Sequence, residues 1–273
     1  MEDPFLAYSP FRDHTNLVLR HGHEVLVSFL VYHFLIYRWL APTANRLVFG
    51  DFYLRSAKRD KINFDIHSTS MVQALVCLAL IMPVMKLPVD LELYSYYNEY
   101  VSLVSAHMMG YFLWDFYVCA RYCKFFGIGF LGHAVGSLMV TTCTLRPSYQ
   151  QWVGKFLVFE ASTPLVNVNW YISQLSRAPS TRKRVIPARV NFVNGILLFI
   201  TFFCVRIVWG TIALVLLDYQ VWKQWSSDTP VFLGLLVPSV NLLMTVLNFY
   251  WFSKMVTIAK KTYNASKKVS KLA

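Results

Sequence analysis

Stretches of about 20 residues with few charges recur along the chain, the length that carries a helix across about 30 Å of hydrocarbon. Seven are legible: roughly Leu19–Leu40, Ile62–Met82, Tyr97–Cys119, Phe125–Leu145, Trp152–Leu175, Asn191–Leu217 and Val231–Val256. The fifth is interrupted by Lys155, Glu160, Asn167 and Asn169. It is still expected to be helical, because a lipid-exposed strand would leave its backbone groups without partners. The pattern predicts an all-α, polytopic membrane helical bundle of about seven transmembrane helices joined by short loops.

Composition supports this reading. The chain is 56% hydrophobic and only 15% charged, against about 25% charged in soluble domains. The mean hydropathy is +0.43. A net charge of +12 could point to nucleic acid, but the cations are segregated. With an odd number of spans, 18 of the 26 basic residues fall on one side: the loop from Arg46 to Lys61, Arg121 and Lys124, the run from Arg177 to Arg189, and the tail from Lys254 to Lys271. That asymmetry predicts a lumenal N-terminus and a cytosolic C-terminus by the positive-inside rule. Basic loops near anionic headgroups need no nucleic acid to account for them.

The first 18 residues are polar and include Pro4 and Pro10, so no cleavable signal peptide is expected, and the first span serves as the insertion signal. Cys77, Cys119, Cys123, Cys143 and Cys204 lie in or beside spans without metal-type spacing, and no metal is expected from them. The sequon at Asn264 falls in the tail assigned to the cytosol, and the Ser-Lys-Leu at 270–272 is not terminal. The chain divides into residues 1–54, with the first span; residues 55–260, the main transmembrane unit; and a basic tail, 261–273.

Function then has to come from polar groups at membrane depth, which cost at least about 2.5–3.5 kcal/mol unless they face an interior. At ~1.5 Å per residue, His67, Asp115, His133, His107 and Asn167 all fall in the cytosolic half of the bilayer. His107, Tyr111 and Asp115 share one face of the third helix at i, i+4 and i+8. His133, Ser137, Thr141 and Thr144 make a stripe on the fourth, Glu160, Thr163 and Asn167 on the fifth, and Asn241, Thr245 and Asn248 on the seventh. Four polar stripes suggest a bundle around a polar-lined interior. The bland alternative is that they serve as interhelical glue, with Gly129, Gly132 and Gly136 allowing close approach. Glu160 and Arg206 both fall about 22 Å from the cytosolic side, and a structural ion pair between them is expected.

These residues carry a family likeness. "FDIHSTSMVQALV", "HMMGYFLWDFY", "GFLGHAVGS" and "FEASTPLVNVNWYI" resemble the TLC-domain family, which includes ceramide synthases and small lipid-homeostasis proteins, over about residues 55–260. The resemblance implies a protein of the endoplasmic reticulum or another endomembrane, with six helices around a lipid-accepting cavity plus one extra span. Ceramide synthases carry two adjacent histidines at the start of the fourth-span motif. Here His133 matches the first, but Ala134 occupies the second position, and the downstream acidic segment is not reproduced.

Two readings follow. The first is a non-enzymatic protein that binds or handles membrane lipid and influences lipid homeostasis or trafficking, with His67, His107, Tyr111, Asp115, His133, Ser137, Asn167 and Asn241 lining a lipid cavity and no cofactor. The second resembles ceramide synthase: an N-acyltransferase with acyl-CoA as co-substrate, His133 as base or nucleophile, and Asp115 or His107 orienting it. Membrane lipid is the expected partner in both, and a homo-oligomer is compatible with either.

Overall fold

The computed structural model describes residues 2–177 and 186–270. The basic residues Arg182, Lys183, Arg184 and Lys271 lie outside them. Seven principal helices appear among the described residues: α1 (Gly22–Phe49), α2 (Lys58–Ile81), α3 (Glu99–Arg121), α4 (Ile128–Thr144), α5 (Thr163–Arg177), α6 (Ala188–Lys223) and α7 (Val231–Ser270). No strand occurs among the described residues. Four of these helices, α1, α2, α6 and α7, are long and apolar enough to cross a bilayer by length and composition. Helix α4 is apolar but only 17 residues long. Helix α3 has the length, 23 residues, and turns its apolar surface inward, with Val101, Val104, Met108 and Trp114 fully enclosed.

Packing order closes a ring. Helix α2 packs on α3, α3 on α4, α4 on α7, α7 on α6, α6 on α5, and α5 back on α2. Helix α1 lies outside it against α2 and α3, so six helices surround an interior and one stands apart. Large apolar side chains such as Phe34 and Leu35 on α1, Ile196 and Ile200 on α6, and Leu242 and Val246 on α7 are exposed. In water such a belt would be an association hazard, whereas facing hydrocarbon it is the expected surface.

Glycines set the closest approaches. A Cβ at Gly110 on α3 would fall 2.5 Å from both Ser28 Cβ and the Val25 carbonyl of α1, so these helices touch backbone to side chain. Gly136 does the same for α4 and α7, where a Cβ would overlap Met244 Cε. Gly129 and Gly132 have nothing within 4 Å of such a Cβ. Only one of the three glycines expected to bring helices together therefore does so.

The fifth span departs from the expected single helix. It consists of a short α-helix, Val153–Leu157, a tighter 3-10 segment, Val158–Ser162, and then α5. Pro164, which lacks a backbone N–H, suits the opening turn of α5 and marks where the regular helix restarts. Lys155, buried inside the broken part, reaches back so that its Nζ donates to the Leu87 carbonyl at 2.6 Å. Two other helices contain wide π-helical turns: Val31–Leu40 within α1 and Phe203–Val208 within α6.

One end of the bundle is tied by glutamines. Gln151, Gln220 and Gln224 each donate from Nε2 to the Leu91 carbonyl, at 2.9, 2.7 and 3.2 Å. Gln220 Oε1 also accepts from Trp152 Nε1 at 2.8 Å, and Gln150 joins Ser102 and the Asn98 backbone. The loop before α3 is thereby fastened to α6 and to the start of the broken fifth span.

Candidate lipid cavity

The interior of the ring holds a cavity of about 130 Å³, roughly ten times the space one water needs. Its wall comes from α3 (Ser105, Met108, Phe112), α4 (His133 to Thr144), the stretch from Tyr149 to Glu160, Arg206 of α6, and α7 (Val237 to Asn248). Most of the lining is apolar, with Phe112, Trp152, Phe156, Phe159 and Met244 among it.

Two polar groups among the lining residues lack partners, on the adjacent helices α4 and α7. His133 lines the cavity from α4, its ring edge-on to Trp251 at 5.7 Å, and its Nδ1 is buried without a hydrogen-bond partner. Asn241 lines it from α7, and its Nδ2 is likewise buried and unpartnered. An unmade hydrogen bond at a buried site costs about 1–3 kcal/mol. Both belong to residues that line the cavity.

Arg206 is the cavity's cation. Its Nε donates to Ser162 Oγ at 2.8 Å, with longer contacts from NH1 to Asn248 Oδ1 and NH2 to Thr163 Oγ1, both 3.4 Å. The Phe202 ring lies 5.4 Å from the guanidinium carbon. Arg206 sits in the wide turn of α6, and such turns recur at functional sites. Glu160 lines the same cavity. The two do not form the direct ion pair expected from their matched depth, because no ion pair within 4.0 Å joins them among the described residues. The fork of Arg206 is taken up instead by hydroxyls and an amide, since the end of the 3-10 segment presents Ser162 to it and the first residue of α5 presents Thr163.

The other residues that the sequence points to fall in four places. Ser137 lines the cavity, and its carbonyl accepts from Thr141 Oγ1 at 2.9 Å. His67 and Asn167 meet each other instead: His67 Nδ1 and Asn167 Oδ1 are 2.7 Å apart, the imidazole stacks on Trp170 at 4.0 Å, and neither lines the cavity. His107 and Tyr111 point to α1, where His107 Nε2 lies 3.1 Å from Tyr32 OH and Tyr111 packs on the Tyr32 ring. Asp115 contacts Cys119 Sγ, one turn along its own helix, at 3.7 Å. Neither His107 nor Asp115 shares the cavity with His133.

Sequence reasoning misses two groups of partners. Asn248, Ser162 and Thr163 give no signal in the sequence that they converge on Arg206. Asp65 is the other omission: its carboxylate accepts from Asn45 Nδ2 at 2.9 Å and from Tyr53 OH at 2.8 Å, tying α2 to α1 and to the Asp51–Leu54 turn after it. The stretch "FDIHSTS" contains it, and a carboxylate inside an apolar span is the available cue.

Comparison with known proteins gives the family. "Topoisomerase I damage affected protein 4" of Saccharomyces cerevisiae is 42% identical over 264 residues, covering 96% of this chain and 92% of that protein. A TLC domain-containing protein of Schizosaccharomyces pombe is 31% identical over 96% of this chain and 88% of its own length. "TLC domain-containing protein 4-B" of Xenopus laevis is 30% identical over 87% of this chain and 88% of its own. No solved structure matches. Residues 63–257 match the TLC domain family model, and they take in α3 and α4, the broken fifth span, α6 and most of α7, so the chain belongs to the TLC-domain family of membrane proteins.

Proposed function

We propose that this protein holds a membrane lipid in the cavity between α3, α4, α6 and α7, and through that influences membrane lipid homeostasis or trafficking. The observation that carries the reading is the pair of buried, unpartnered groups, His133 Nδ1 and Asn241 Nδ2, on the adjacent helices α4 and α7 that line a mostly apolar chamber. The oxygens of a lipid headgroup can supply partners for both groups, and Arg206 adds positive charge to the cavity from α6. The hydrocarbon of such a ligand matches Phe112, Phe156 and Met244. A volume of about 130 Å³ suits a headgroup with the first part of a chain, leaving the rest to lie between helices.

One observation favours a second reading, N-acyl transfer: Glu160 brings a carboxylate to the cavity that contains His133. In that reaction an amine attacks the acyl-CoA thioester, the CoA thiolate leaves, and His133 takes the amine proton. Asp115 and His107 are not available as orienting partners, because they face Cys119 and Tyr32. That absence weighs toward lipid holding.

The charge asymmetry supports a C-terminus in the cytosol and an N-terminus on the opposite side, and the family likeness is what favours the endoplasmic reticulum or another endomembrane.

Native mass spectrometry of the detergent-purified protein tests the proposal. A co-purifying lipid is expected on the wild type and lost from His133→Ala and Asn241→Leu variants that keep the wild-type size-exclusion profile. A lipid-free wild type, or variants that retain lipid equally, would overturn it. Incubation with long-chain base and acyl-CoA separates the two readings: His133-dependent amide formation would replace lipid holding with catalysis.

A further inference from the structure

A second cluster of chemistry-bearing side chains sits well away from the cavity, where the N-terminal stretch folds back over the beginning of α1. Asp3 Oδ1 accepts from the Phe5 backbone N–H at 2.8 Å, and Ser9 Oγ donates to the Arg20 carbonyl at 2.6 Å. His23 Nε2 lies 3.1 Å from the Phe5 carbonyl. These contacts bring Asp3 beside His21 and Glu24, which share one face of the turn at i and i+3.

The three side chains are closed off from the surroundings. Those of Asp3 and His21 are 0% exposed and that of Glu24 is 6%. His21 Nδ1 lies 3.3 Å from Asp3 Oδ2 and 3.0 Å from Glu24 Oε2. All three ligand atoms fall within 4.8 Å of one another.

Hydrogen bonding alone does not satisfy this arrangement. A single imidazole nitrogen offers at most one N–H, and here two carboxylates converge on it. Asp3 Oδ2 and Glu24 Oε1 are buried with no hydrogen-bond partner. The second imidazole nearby, His23, comes only within 3.7 Å of Glu24 Oε1, and its Nε2 is already 3.1 Å from the Phe5 carbonyl, so two carboxylates share an enclosed space with His21 at a cost of several kcal/mol per ion. Arg20, the neighbouring cation, is directed elsewhere: its NH2 contacts Glu99 at 3.4 Å and its guanidinium lies over Tyr97.

We propose that Asp3, His21 and Glu24 bind one divalent transition-metal ion of the zinc class. Bonds of about 2.0–2.2 Å in a tetrahedral site put neighbouring ligand atoms about 3.3–3.5 Å apart, close to the two spacings measured from His21 Nδ1. A neutral imidazole and two carboxylates together balance the charge of a dication; His21 Nε2, which would then carry the proton, is buried without a hydrogen-bond partner. One nitrogen and two carboxylates suit zinc better than calcium or magnesium, which favour six or more oxygen ligands. Three protein ligands leave a fourth position for water. The ion would clip the N-terminal stretch to α1, a role independent of what the cavity holds.

The test uses the full chain in detergent with any histidine tag removed. After chelation and reloading with Zn²⁺, elemental analysis should find one zinc per chain, and Zn²⁺ should raise the melting temperature where Mg²⁺ and Ca²⁺ do not. Asp3→Asn changes one ligand atom on the terminal stretch, outside the helical ring, and should lower zinc content roughly tenfold or more. His21→Ala should do the same. A wild type that takes up no zinc and melts unchanged would overturn the proposal, and so would an Asp3→Asn variant that keeps full zinc content.

Discussion

Replacing Gly136 by leucine tests whether the cavity is where the proposed lipid would bind. A Cβ at this position would overlap Met244 Cε and lie 3.2 Å from Val240 Cγ1, and both residues line the cavity. Methionine is adaptable, so Met244 can swing aside, but the space it moves into is the cavity itself. Trimming a buried leucine elsewhere opens a void of about 150 Å³, so adding one here is enough to fill a chamber of about 130 Å³. Removing a helical glycine gains about 0.8–1 kcal/mol, while overpacking costs about 1–3 kcal/mol. The net loss of stability is therefore ~0–2 kcal/mol, small enough for the protein to fold. Native mass spectrometry should show lipid occupancy at least about tenfold below wild type, equivalent to ~1.4 kcal/mol of binding. Gly132, one turn away with nothing within 4 Å of an added Cβ, is the control, and leucine there should leave occupancy unchanged. A folded Gly136→Leu protein that carries lipid at wild-type stoichiometry would show that the lipid lies somewhere else.

Hydrogen-bond geometry sets three further outcomes. Arg206→Lys should lower stability by about 1.5–3 kcal/mol in thermal or chemical denaturation, because an ammonium cannot reproduce the bond from Nε to Ser162; an unchanged melting temperature would mean the fork does not hold the wide turn. A double-mutant cycle of His67→Leu and Asn167→Leu should give a coupling near ~0.6 kcal/mol and no more than about 1.7 kcal/mol, and a coupling of zero would deny their contact. Gln220→Leu removes the partner of Trp152 Nε1 and one of the donors to Leu91. It should cost about 1–3 kcal/mol, read as faster hydrogen exchange in the Leu91 loop, and wild-type exchange there would refute the clamp.

Four of the helices, α1, α2, α6 and α7, can be read from apolar length alone because bilayer thickness imposes that length on any helix that crosses it. Where helices end depends on other terms. The Trp152–Leu175 stretch reads as one span, but Lys155 takes the Leu87 carbonyl and Ser162 and Thr163 turn to Arg206, so the backbone tightens before α5 restarts. The stripe on α3 shows the same limit. Spacing correctly places His107, Tyr111 and Asp115 along one side, but Ser105, Met108 and Phe112 face the cavity while His107 and Tyr111 meet α1. Periodicity says which residues share a face, whereas neighbouring helices decide what that face meets. Depth and pattern single out His133, Ser137 and Asn241, and these do line the cavity. Gly110, with its close approach to Ser28, is what brings α1 onto α3, and nothing in local hydropathy reveals it.

The wide turn at Phe203–Val208 also bears on how this chain can change length. An extra residue in an ordinary helix rotates everything beyond it by about 100°, which here would swing Ala213 and Leu217 off their seat against Trp152. A turn closed by i→i+5 bonds takes up such an insertion locally. Deleting a single position there would let the helix heal to regular pitch with Phe202 upstream and Leu217 downstream still pointing inward. Architecture would survive such a deletion, and the guanidinium's aim would not.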